Sequence, residues 1–162
     1  MFEKNTWSIV FASVFLFMVG VFATIILPFL DDEMITPTAN AELRNYEPGS
    51  PEALGRQVYI REGCNTCHTQ VVRPVKADLN QNLGPVSQPG DYVYDKPHLW
   101  GSNRTGPDLM WVGVRWNEQW QKEHLLDPRS LVPDSIMPSY DYLSEEDLNN
   151  LVAYLMSLRP AQ

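Results

Sequence analysis

Cys64 and Cys67 are the two cysteines of this 162-residue chain, and His68 follows the second directly. The string Cys64-Asn65-Thr66-Cys67-His68 is the C-x-x-C-H signature for covalent attachment of a c-type haem. The spacing has a physical reason. Two thiols must reach the two vinyl groups on one edge of a porphyrin, and the next residue must bring its imidazole to the iron. Cys64 and Cys67 are therefore expected to form thioethers, and His68 the proximal Fe–N bond. Other uses of the pair fit worse. A thioredoxin-like motif needs a βαβ setting, which the pattern lacks. A zinc site needs four ligands, and only His98 and His124 could join, at irregular spacing. A disulfide between cysteines three apart would be strained and would close almost no loop.

The second constraint is the run from Trp7 to Leu30, 24 residues without Asp, Glu, Lys, Arg or His. At ~1.5 Å per residue a helix of that length reaches roughly 36 Å, enough to cross a ~30 Å hydrocarbon layer. Asp31-Asp32-Glu33 closes it. Ala39-Asn40-Ala41 has the small-x-small form of a signal-peptidase site, but the apolar run exceeds the ~7–15-residue core of a cleaved signal. Residues 1–30 are accordingly expected to be a retained transmembrane anchor, 31–50 a linker, and 51–162 a separate domain.

The formal net charge is −8, and residues 31–162 hold 19 acidic against 11 basic side chains. That excludes a generic nucleic-acid binder, which would be basic, and is compatible with a positively charged protein partner.

Helix signals bracket the motif. Ser50 is a good N-cap, Pro51 suits the first helical position and Gly63 the exit, which predicts a helix over 51–62. Ser144 with Asp147 forms an S-x-x-D box ahead of Leu148, Leu151, Val152, Leu155 and Leu158, predicting a closing helix over 145–158. Asn117 caps a third helix over 118–126. Asp127-Pro128 ends it, and a short helical turn is expected from Pro128 to before Pro133. The stretch 69–107 is rich in Pro, Gly, Asn and Gln and reads as a long irregular loop without strands. The chain is thus all-α, with one N-terminal transmembrane helix.

This layout resembles class I cytochromes c. In that class a Gly and an aromatic residue, here Gly55 and Tyr59, let the first helix cross the last closely, with Tyr154 as the facing aromatic. A Gly-Pro-x-Leu element, here Gly106-Pro107-Asp108-Leu109, runs along the proximal side. By that resemblance the Pro107 carbonyl accepts a hydrogen bond from the ligand imidazole, which fixes its tautomer. The sixth ligand is sought among Met110, Met137, Met156, His98 and His124. Met137 is preferred: it precedes Pro138 in a non-helical stretch just before the closing helix, and lies far enough from His68 to wrap to the distal face. Met156 reads as core, and His124 as a surface or packing residue of its helix. Arg104, Arg73 and Trp100 are candidate partners of the haem propionates, because an Arg–carboxylate fork is strong.

The residues resemble one family in particular. Carrying strings are Gly55-Arg56-x-x-Tyr59-Ile60-Arg61-Glu62-Gly63-Cys64-x-x-Cys67-His68 and Val72-Arg73-Pro74. Further on come Leu99-Trp100-Gly101-Ser102-x-Arg104-Thr105-Gly106-Pro107-Asp108-Leu109, His124-Leu125-x-Asp127-Pro128-Arg129 and Met137-Pro138-x-Tyr140. Together they are similar to the membrane-anchored mono-haem cytochrome c subunit (subunit II) of cbb3-type haem–copper oxidases. The resemblance implies one covalent haem c with His/Met-ligated iron. It implies partners in the haem–copper catalytic subunit, other cytochrome subunits and a donor cytochrome or other redox protein. It also implies electron relay without catalysis of its own, with a loop near 92–104 at the docking face. Haem attachment takes place outside the cytoplasm, so the resemblance implies a single-pass protein of the bacterial inner membrane, N-terminus cytoplasmic and haem domain periplasmic. A free-standing membrane-tethered shuttle and the small cytochrome subunit of a nitric oxide reductase remain open as alternatives.

Overall fold

The structure is a computed structural model in which residues 5–99 and 101–161 are described. It comprises two compact units, Met1–Thr36 and Pro37–Gln162. Among the described residues all regular elements are helical.

The first unit is built on helix α1, Thr6–Phe29, long and apolar enough to cross a membrane. Asn5 caps it, its side chain accepting from the Trp7 amide at 3.1 Å. The helix widens into a π-turn over Phe22–Ile26 just before Pro28. Proline has no N–H to give the carbonyl four residues back, and its ring crowds that carbonyl, so a wider turn accommodates it. Its large side chains, from Trp7 to Phe29, are exposed along its length. Asp31 then caps a single turn, Asp32–Ile35.

The second unit is organised by helices α2 (Pro51–Arg61) and α4 (Glu145–Ser157), with α3 (Glu118–Leu126) packed against the latter. The expected caps are present: Ser50 accepts from Ala53 N at 3.2 Å, Asn117 from Trp120 N at 2.9 Å and Ser144 from Asp147 N at 3.1 Å. The crossing of α2 and α4 depends on Gly55. A β-carbon there would stand 1.8 Å from the Asn150 carbonyl oxygen and 2.8 Å from Cβ of Tyr154, so only hydrogen lets the backbones meet. Tyr59 and Tyr154 pack edge-to-face across the crossing at 5.3 Å. Leu148, Leu151, Val152, Leu155 and Leu158 form the buried stripe of the closing segment.

Residues 37–50, expected to be linker, belong to the folded unit. Thr38 caps the turn Ala39–Glu42, and Ala41 is buried. Arg44 is buried too, its Nη2 donating to the carbonyl and sulfur of Met110 at 3.3 and 2.8 Å and its Nη1 facing Asp95 at 3.5 Å. The guanidinium lies 5.8 Å from the ring centroids of both Tyr92 and Trp111. One buried cation with aromatic, carbonyl and carboxylate partners draws the segment in, because an unpaired charge could not be buried there.

The stretch 69–107 contains the turns Lys76–Leu79 and Pro89–Tyr92 and no strand among the described residues. It is ordered by a small core of its own, Val72 and Leu83 against Met110 and Trp111. A buried ionic knot centred on Asp78, which no solvent reaches, completes it. Asp78 accepts from the Arg73 amide at 2.8 Å, from Arg73 Nε and Nη2 at 3.1 and 2.9 Å, and from Arg104 Nη1 and Nη2 at 2.6 and 2.9 Å. These bonds hold its carboxyl well below the usual carboxylate range, those from Arg73 most of all.

Candidate functional site

The exit of α2 sets the geometry of the Cys motif. Gly63 adopts φ +70°, a left-handed conformation glycine takes without steric cost. The chain then winds through a 3₁₀ turn over Cys64–Thr66, with the His68 amide returning to the Cys64 carbonyl at 3.0 Å. This tight turn brings Cys64, Cys67 and His68 onto the wall of one cavity of about 590 Å³. That volume falls in the ordinary range for cofactor pockets. Cys64 is buried, Cys67 exposed, and neither is in a disulfide. Burial pushes the Cys64 thiol up to about 11.

His68 is held on two sides. Its Nδ1 lies 2.7 Å from the Pro107 carbonyl oxygen. A carbonyl only accepts, so Nδ1 carries the proton and Nε2 keeps its lone pair. Burial lowers the pKa of the imidazole, which favours its neutral form. The Pro107 segment is fixed in turn by Gly106 N to the Cys67 carbonyl at 3.0 Å and Leu109 N to the Thr69 carbonyl at 2.8 Å.

Met137 lines the same cavity, half-buried, its amide bonded to Ser135 Oγ at 3.2 Å. Its strand of coil is fastened to α3 by Tyr140 N to the Leu125 carbonyl at 2.9 Å and Ser139 Oγ to the Leu126 carbonyl at 2.6 Å. Met110 is buried beside Arg44 instead. Met156 and His98 are not on the cavity wall.

The arginines are placed differently from expectation. Arg73 and Arg104 do not line the cavity. Both are spent on Asp78, and Arg104 also donates to Thr69 Oγ1 and the Val71 carbonyl, each at 2.6 Å. A fully buried carboxylate claims them more strongly than a partly solvated one could, because it has no water to fall back on. Trp100 lies outside the described residues.

The cavity wall also holds Arg115, Trp116, Trp120 and Gln121, which motif reading passed over, together with His124. Trp116, Trp120 and His124 stack in succession, with centroids 4.3 and 4.6 Å apart and planes within 12° and 15°. Trp120 and His124, four apart, share one face of α3, and Trp116, just before the Asn117 cap, stacks on the end of that face. That was the available signal, and His124, expected at the surface or in packing, belongs to the cavity because of it. Arg115 Nε, Gln121 Nε2 and His124 Nδ1 are buried without hydrogen-bond partners among the described residues. Buried polar atoms are rarely left so.

The wall therefore carries two thiols and a neutral imidazole from one segment, a thioether sulfur from another, aromatic faces, and nitrogen groups lacking partners. Those donors fit a flat, largely apolar macrocycle with a metal at its centre and acidic groups at its edge. The family comparison agrees. The model for the cytochrome c oxidase mono-haem subunit, FixO, matches residues 1–158. No curated protein matches the chain.

Proposed function

From its membership of the family of mono-haem cytochrome c oxidase subunits (FixO), we propose that the chain carries one haem c and relays electrons from a donor cytochrome to the catalytic subunit of a cbb3-like haem–copper oxidase. A single observation supports the site assignment most: Cys64, Cys67, His68 and Met137 line one cavity, with the His68 tautomer set by Pro107.

The bound haem supplies a one-electron Fe(III)/Fe(II) couple. All else is the work of the chain. Cys64 and Cys67 would hold the porphyrin edge as thioethers. His68 would hold the iron through Nε2, and the Pro107 carbonyl keeps the ring oriented and raises its basicity. Met137 would hold the iron from the other side through its thioether, which would favour the ferrous state relative to a second imidazole. Tyr59, Leu151 and Leu155 contribute apolar wall that limits water at the metal. Helix α1 tethers the domain to the bacterial inner membrane, with the N-terminus cytoplasmic and residues from 37 onward on the periplasmic side. Other cytochrome subunits of the complex are the remaining expected neighbours.

The test is purification of the full chain from mild-detergent membranes. The expected result is a pigment that survives acid–acetone extraction, a co-purifying haem–copper catalytic subunit and, once the chain is separated from that subunit, a reduced-minus-oxidised spectrum insensitive to carbon monoxide. Extractable pigment would overturn covalent attachment. A nitric oxide reductase subunit in its place, or no partner, would overturn the oxidase assignment.

A further inference from the structure

We propose that the mouth of the cavity at Trp116 is a docking surface for a basic c-type cytochrome, and that the stack Trp116–Trp120–His124 is the path by which its electron reaches the haem; this rests on the haem assignment above. Trp116, Val132 and Ile136 all line the cavity, yet they are 46, 42 and 74 % exposed, which places them at its mouth. An indole and two branched aliphatic side chains left in water at one opening have the composition that marks the centre of a protein contact. The charges around them select the partner. From 116 to 136 the exposed charged residues are Glu118, Glu123, Asp127 and Asp134 against Arg129. Asp134 itself lines the cavity. Lys122 donates to Asn149 Oδ1 at 3.0 Å, and Arg115 is turned onto the Asp108 carbonyl. An apolar centre inside an acidic margin is complementary to an apolar centre ringed by lysines. Its small extent fits a weak electron-transfer encounter, which buries less than ~1,200 Å² in total, rather than a permanent subunit contact, which is larger and more apolar.

The stack supplies the electronic half. Its ring centroids stand 4.3 and 4.6 Å apart with planes within 12° and 15°, so successive π faces are in contact. Exposure falls along it, from Trp116 in solvent to Trp120 and His124, both half-buried. Electron tunnelling weakens steeply across any gap that holds no atoms, and a continuous aromatic face from the mouth to the wall removes such gaps. The Asn117 cap fixes the register: its side chain accepts from Trp120 N at 2.9 Å, which holds Trp116 against the first turn of α3. The step is a one-electron exchange. The partner's ferrous haem becomes ferric, and the iron beside His68 goes from Fe(III) to Fe(II). No ring gains or loses an electron, and no proton moves.

The experiment uses the full-length haem protein in detergent, unsubstituted and as Trp116→Leu, Trp116→Phe and Val132→Lys. The ferric chain is mixed by stopped flow with a ferrous, lysine-rich soluble class I cytochrome c as the probe. The second-order rate of approach to redox equilibrium is followed at several salt concentrations. Midpoint potentials are titrated for each protein, so that rates are compared at matched driving force. The unsubstituted rate is expected to fall as salt rises, because opposite charges steer the encounter. Val132→Lys is expected to slow exchange several-fold by setting a like charge in the apolar centre. Trp116→Leu is expected to slow it several-fold by removing the first ring, and Trp116→Phe to restore part. A rate that is level or rises with salt overturns the basic partner. Val132→Lys at the unsubstituted rate overturns the surface, and Trp116→Leu at that rate overturns the path. Loss of the co-purifying catalytic subunit in Val132→Lys also overturns the surface, since that subunit then occupies it. If Trp116→Leu does not accumulate, the salt dependence and Val132→Lys still decide. Absence of covalent haem from the unsubstituted protein strikes the haem assignment instead, and so the two failures are told apart.

Discussion

A β-carbon at position 106 would lie 2.2 Å from Cε1 of His68 and 2.7 Å from both of its ring nitrogens. Gly106 is therefore the floor against which the imidazole rests, and the Pro107 carbonyl beside it holds the ring by Nδ1. Gly106→Ala is expected to push the ring off that hydrogen bond, at a cost of about 1–3 kcal/mol from overpacking. The same change is expected to disturb the proposed ligation by His68. The measurement is haem content with the Soret and visible spectra of the ferric protein. A variant with a full complement of haem and an unaltered spectrum would show that the imidazole does not depend on this contact.

The Asp78 knot yields a pH prediction with a definite sign. Its carboxyl is held below the usual range in the folded protein, first by Arg73 and then by Arg104. A depressed folded pKa means the contribution to stability is complete above the unfolded value of about 4 and is lost as pH falls below it. Asp78→Asn leaves Arg104 facing a neutral group in a half-closed site, at a cost of about 3–5 kcal/mol near neutrality. Denaturant titrations at neutral and acid pH check both parts. The variant should be the weaker at neutral pH, and the gap should shrink toward acid. A constant gap would show that Asp78 is not ionised in the fold.

Gly55→Ala tests the crossing of α2 and α4. The added carbon has the Asn150 carbonyl at 1.8 Å and cannot be absorbed by a side-chain rotation. Helix separation is expected to destabilise the domain by about 3 kcal/mol, seen as an earlier denaturation midpoint with little change in the haem spectrum. Unchanged stability would mean the helices do not meet at this position.

The helices and the turn that sets His68 beside the two cysteines were legible because their signals are local. Ser50, Asn117 and Ser144 cap the helices predicted from them, each side chain satisfying an amide two or three residues on. Gly55 and Pro107 were legible only through a resemblance, since the sequence does not by itself say which backbone a glycine must let in. The arginines were misjudged because their partner is decided by burial. Nothing local to Asp78 announces that solvent is wholly excluded from it, yet that exclusion fixes Arg73 and Arg104. Arg44 was hidden in the same way. Its neighbours Asp95, Tyr92, Met110 and Trp111 come from a loop some fifty or more residues away, and a polar segment next to an anchor reads as linker until that loop is in place.

The axial pair is open to a direct contest, because the cavity wall holds both Met137 and His124. His124 is stacked on Trp120 at 4.6 Å, and burial lowers its pKa. A ring clamped in a stack has little freedom to turn toward a metal. Met137 sits in coil pinned only at its flanks, by Ser135 on one side and by Ser139 and Tyr140 on the other. A flexible thioether on such a segment is free to adapt to the iron. Met137→His is therefore expected to lower the midpoint potential, as a second imidazole favours the ferric state, and to leave the fold intact. It should also remove the near-infrared charge-transfer band that a sulfur ligand gives ferric haem. His124→Leu should keep that band and move the potential little. If the unsubstituted ferric protein lacks that band, or if the band survives Met137→His, the distal ligand is not the one assigned here.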